Sequence, residues 1–149
     1  MQHEPVPSRS DRFGEHRGLG ISVMDFKLAT ADTEGAVFII ENSFREKGGP
    51  PRHMHHEQDE WFYALEGEFQ FEIGPERFTV HAGDSVLGPR RVPHVWTCAG
   101  VGRILIVFTP AGKMEAFFRE ITKANAMPAQ DPALWRFHGM ELLGPPFVV

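Results

Sequence analysis

The sequence predicts an all-β domain, a sandwich or small barrel, followed by short C-terminal helices. Three observations carry that reading. Apolar and polar residues alternate over short segments, and turn signals recur between those segments at even intervals. The 149 residues also include 15 Gly and 12 Pro beside 13 Phe. Many turns combined with many bulky apolar side chains suit short strands packed face to face.

Met1 to Arg12, with Pro5 and Pro7, reads as a loose N-terminal arm. Ile21 to Leu28 reads as the first strand, with a parity slip at Met24-Asp25 that suggests a bulge. Gly35 opens the β-branched and apolar run Ala36 to Ile40, a second strand. Gly48-Gly49-Pro50-Pro51 is a loop. Further strands are expected at Glu60 to Leu65, Phe69 to Ile73, Arg77 to His81, Ser85 to Leu87, Val92 to Thr97 and Arg103 to Phe108. Turns at Glu66-Gly67, Gly74-Pro75 and Ala82-Gly83-Asp84 separate the earlier ones.

After Pro110 the period changes. Met114, Phe117, Phe118 and Ile121 form an amphipathic helical stripe that must lie on a sheet face or a partner. Asp131-Pro132 caps a second short helix to about His138. The tail from Gly144 to Val149 reads as extended. No repeat or linker interrupts the chain, so residues 1–149 read as one domain, with a core at about 20–110 and a helical extension at about 111–149.

Composition excludes several functions. One cysteine, Cys98, forms no internal disulfide, so a disulfide-stapled module is ruled out. A net charge of -5 without a basic run argues against nucleic acid as a partner. No apolar stretch reaches membrane-spanning length, and Met1 to Asp11 lacks an apolar signal core, so a cytoplasmic location is expected.

The segment Pro51 to Glu60 holds three of the eight histidines within four positions, beside three acidic residues. His53 and His55 differ by two, so on one strand both imidazoles leave the same face. Glu60 differs from His55 by an odd number, and only a turn or bend through the polar residues His56 to Asp59 returns it to that face. Two imidazoles and a carboxylate converging from adjacent strands suit a first-row transition metal. His94, on the otherwise apolar segment Val92 to Trp96, would be costly if buried without a partner, and a metal would satisfy it. His56 is expected in solvent and His81 on a wet face, while His3, His16 and His138 read as surface residues.

These residues resemble the cupin superfamily. Its first motif, G-x5-H-x-H-x3-4-E-x6-G, is matched by His53, His55, Glu60 and Gly67. Its second, G-x5-P-x-G-x2-H-x3-N, is matched in spacing by Gly83, Pro89 and His94. The first motif's leading Gly falls at Lys47, Arg91 replaces the second motif's middle Gly, and Cys98 replaces its Asn. None of these is a ligand position. The segment from Phe117 to Gly144 is similar to the C-terminal extension of small quercetin-dioxygenase-like cupins.

The resemblance implies a double-stranded β-helix, or jelly roll, with one divalent metal ion (Fe, Mn, Ni, Cu, Co or Zn) held by His53, His55, Glu60 and His94. It also implies open coordination positions for a small-molecule ligand and dioxygenase-type chemistry, with Glu60 also moving a proton. A non-catalytic binding or sensing protein, or an isomerase or decarboxylase, is the alternative. Alternation from Glu60 and His94 directs Phe62, Ala64, Trp96 and Cys98 inward as expected pocket-lining residues. It sends Trp61, Tyr63 and Leu65 outward, where with the helix stripe they suggest a homodimer.

Overall fold

The computed structural model describes residues 4–126 and 130–148. Among them the chain runs through β1 (Ser22–Leu28), β2 (Phe38–Phe44), β3 (Pro51–His55), β4 (Asp59–Glu66) and β5 (Glu68–Ile73). It continues through β6 (Glu76–His81), β7 (Ser85–Gly88), β8 (His94–Cys98) and β9 (Gly102–Thr109) to α1 (Met114–Ile121), α2 (Pro132–Phe137) and β10 (Met140–Pro146). The strands form two five-stranded antiparallel sheets, β1-β2-β9-β4-β7 and β10-β3-β8-β5-β6, packed as a jelly-roll sandwich. No helix among the described residues is long and apolar enough to cross a membrane.

Most of the Phe excess lies between the sheets. Phe26, Phe38, Phe62, Phe69, Phe71, Phe108 and Phe117 are fully buried. Each contributes about 1.5–3 kcal/mol by leaving water. Rings join the two layers directly: Phe62 of β4 lies 4.9 Å from Phe71 of β5 and 5.9 Å from Trp96 of β8. The turn between β4 and β5 requires Gly67, whose φ is 83° and whose missing Cβ would sit 2.5 Å from the Val101 carbonyl oxygen.

Several elements differ from the sequence expectation. β2 runs on to Phe44, because Phe38, Ile40, Asn42 and Phe44 are all buried at even positions. The polar stretch Glu41 to Ser43 hides that continuation. The slip at Met24-Asp25 is not a bulge. Asp25 pairs in regular register with Glu41, and the irregularity falls between Phe26 and Leu28. The expected tail becomes β10, starting at Met140 and pairing with β3 through Met140–His55 and Leu142–His53. Asp131 does cap α2, accepting from Ala133 and Leu134 N–H at 3.1 and 3.4 Å.

The N-terminal arm is not loose at its inner end. Asp11 is buried and accepts from the backbone N–H of Phe13, Glu15 and Phe26 at 2.9, 3.3 and 2.8 Å, and from Arg17 Nε at 3.1 Å. The Arg17 guanidinium lies 3.9 Å from the centre of the Phe26 ring, so the arm is clamped to β1. Burial alone would raise the Asp11 pKa. Arg17 and the three backbone donors outweigh it and hold the carboxyl below its ordinary value. The stabilisation is therefore present above about pH 4 and is lost as the pH falls through the lower, folded value. Replacing Asp11 with Ala leaves Arg17 buried without that partner, and urea denaturation at pH 7 is expected to show a loss of about 3 kcal/mol or more. The variant should also lose less stability than the parent between about pH 4 and 2.

Candidate metal centre

β3 and β4 follow one another in the chain but belong to opposite sheets. The crossing between them, residues 56–58, removes the odd-offset problem, because Glu60 now points inward from the first sheet towards the inward imidazoles of the second. His53 is paired directly with His94 of β8, and their rings are 4.5 Å apart. His53 and His55 rings are 5.1 Å apart, and His55 and His94 stack at 5.7 Å. All four side chains are buried, and one ligand atom from each lies within 4.8 Å of the others.

The Glu60 carboxylate faces two of these imidazoles. Its Oε1 is 3.1 Å from His55 Nε2 and 2.9 Å from His94 Nε2. Neither contact has the orientation of a hydrogen bond, so Glu60 Oε1, His94 Nε2 and both His55 nitrogens stay unpartnered though buried. Burial would push the Glu60 pKa up. The facing imidazoles of His55 and His94 outweigh that and hold the carboxyl well below the usual carboxylate range. His53 is displaced well below its ordinary value by burial first, and then by the neighbouring His94 and His55. Its Nδ1 lies 2.7 Å from the Pro51 carbonyl oxygen, which fixes Nδ1 as the donor and leaves Nε2 free as a ligand.

Four unpartnered or free ligand atoms around one point, from three imidazoles and an ionised carboxylate, fit a divalent first-row transition metal. In apolar surroundings that many orphaned polar atoms would cost several kcal/mol if nothing satisfied them.

The four residues border a cavity of about 140 Å³ through His53, His55 and Glu60. Its walls are largely apolar: Ile40, Phe108, Met114, Phe117, Trp135 and Met140 among others. Of the residues expected to line it, Trp96 does so. Phe62, Ala64 and Cys98 face inward but are fully buried away from the cavity. The physical reason is the close approach of the sheets at β4, β5 and β8, where rings fill the interior. The space opens instead where α1, α2 and β10 cover β1, β2 and β9. Cys98 Sγ donates to the Gly100 carbonyl at 3.0 Å, and burial pushes its thiol pKa up.

Sequence reasoning missed the helical contribution. Trp135 of α2 packs 5.0 Å from the His53 ring and 5.0 Å from Phe117 of α1. His138 is not a surface residue: it is 7% exposed, with Nδ1 2.8 Å from the Leu134 carbonyl oxygen and its ring against Phe117. Its place just beyond α2 turns the ring back over the helix, a tertiary contact no local pattern displays. His16 and His81 are exposed, and His56 is half-buried against Glu141 at 3.3 Å. His3 lies outside the described residues.

The cupin domain family model matches residues 43–108. No curated protein matches the chain in sequence. Among solved structures, KdgF from Halomonas sp. is similar at 15% identity and a TM-score of 0.61, covering 73% of this chain and 94% of that one. An RmlC-like cupin from Shewanella frigidimarina is similar at 20% identity and a TM-score of 0.60, covering 77% and 96%. Streptomyces PAC13 with uridine is similar at 9% identity and a TM-score of 0.62, covering 99% and 95%. At these identities the likeness is one of fold.

The His53→Ala and His94→Ala variants are each expected to lose stoichiometric metal on elemental analysis of metal-reconstituted protein. Full occupancy in either would remove that residue from the ligand set.

Proposed function

We propose that this chain, whose residues 43–108 match the cupin domain family, is a metal-dependent oxidoreductase of the dioxygenase type, acting on a small aromatic or enolisable organic substrate. One observation carries the reading: the three-imidazole, one-carboxylate cluster opens onto an apolar cavity instead of being closed by further protein ligands. A divalent ion bound there supplies a Lewis acid for a deprotonated substrate oxygen and, when redox-active, a means of engaging dioxygen.

The chain's own residues supply the rest. His53, His55 and His94 would hold the ion through ring nitrogens that burial keeps out of water. Glu60 is ionised, and its carboxylate takes the proton from the substrate O–H as that oxygen turns towards the centre. Phe108, Phe117 and Trp135 provide flat apolar surface for an aromatic ring and exclude water around it.

The test is oxygen uptake by the iron, manganese and nickel forms with flavonols, β-diketones and catechols. Uptake with at least one substrate class is expected, and none with any of them overturns the dioxygenase reading. Glu60→Gln keeps an oxygen near the cluster but removes the base. It is expected to lower turnover by about 10²–10⁴-fold. An unchanged rate would take the proton-transfer role from Glu60.

A further inference from the structure

The same cavity carries polar groups that the proposed chemistry does not use. Ser22 begins β1 and Asn42 lies on β2, and both face the interior at 3% and 5% exposure. Ser22 pairs with Phe44, and Met24 with Asn42, so Ser22 and Asn42 are diagonal neighbours on the inner face. Both line the cavity among Leu19, Ile21, Phe44 and Trp96.

Asn42 Nδ2 donates to the Val23 carbonyl oxygen at 3.1 Å, which fixes the carboxamide and leaves Oδ1 as an acceptor. Neither Asn42 Oδ1 nor Ser22 Oγ has a hydrogen-bond partner among the described residues. Trp96 Nε1 is buried without an acceptor as well. A complementary polar group on a ligand that reaches this part of the otherwise apolar cavity meets these open hydrogen-bonding positions.

The pair sits far from the metal cluster. On β9, Asn42 is opposite Ile104 and Glu60 is opposite Phe108, four residues apart. That is about 13 Å along the strands, and β2 and β4 lie about 10 Å apart across the sheet. The two polar regions therefore mark separate ends of one apolar space.

We propose that Ser22 and Asn42 form a subsite for a hydroxyl group at the end of an apolar, aromatic ligand remote from the metal. The ligand O–H donates to Asn42 Oδ1 and exchanges a hydrogen bond with Ser22 Oγ. The substrate class is thereby a hydroxylated aromatic with one oxygen directed at the metal and a second hydroxyl at its far end. The inference rests on the proposed function only for the metal-directed end.

The probes are 4-ethylphenol and ethylbenzene, bound to the full chain with and without zinc and followed by calorimetry. The parent is expected to prefer 4-ethylphenol by about tenfold in both states. Ser22→Ala and Asn42→Leu, singly and together, should bring the preference towards one while leaving ethylbenzene affinity and zinc content unchanged. Ser22→Ala removes a single atom and keeps the test valid if Asn42→Leu fails to fold. The proposal is overturned by no preference in the parent, by a preference that survives the substitutions, or by one that appears only with zinc. Because zinc content is measured beside the probes, loss of the metal centre and loss of the hydroxyl subsite give different results.

Discussion

The buried carboxylate of Glu60 is the constraint around which the rest is arranged. An ionised group 3% exposed cannot stay inside a protein unless opposite charge or donors meet it. Here it faces imidazoles whose own nitrogens lack partners, an arrangement positioned to bind a metal ion. Holding such a cluster demands a rigid frame. The directly paired His53 and His94 supply one side, and the sheet crossing that delivers Glu60 from β4 supplies the other.

The surrounding elements serve that frame in different ways. β10 pairs with His55 and His53 along β3, so the ligand-bearing strand is interior to its sheet and held on both sides. α2 places Trp135 on His53, and α1 places Phe117 behind Trp135, which covers the centre without closing it. A jelly roll of two sheets alone would fill its interior with rings, as it does around Phe62, Phe71 and Trp96. The helical extension lines the opposite half, where Met114, Phe117 and Trp135 border the cavity.

Much of this was legible in the sequence, and the reasons are physical. Period-two alternation exposed β5 and β6, and glycine-rich turns bounded β4 to β7. The spacing of His53, His55 and Glu60, together with the resemblance to the two cupin motifs that adds His94, pointed to the cluster that the fold assembles. What stayed hidden depended on tertiary contact. Asn42 reads as polar and therefore as the end of β2, yet even parity with Phe38, Ile40 and Phe44 places it inside. Phe62, Ala64 and Cys98 point inward as alternation requires. Parity, however, says which face a residue takes, not whether that part of the interior is full or empty. His138 and Trp135 gain their meaning only from the packing of two helices that the sequence could predict but not dock.

Arg91 shows how a departure from the motif is accommodated. The second cupin motif has glycine there, and the backbone shows why: φ is 64°, in the left-handed region. An arginine in that conformation costs roughly 1 kcal/mol or more. The chain tolerates the cost because the same conformation directs the Arg91 N–H to the His55 carbonyl oxygen at 2.7 Å, tying the loop before β8 to the strand that carries two ligands. The Arg91 side chain is exposed and takes no part. What is retained at this position is thus the hydrogen bond that the left-handed turn makes possible. The strain is local, and it sits where it braces the two halves of the cluster against each other.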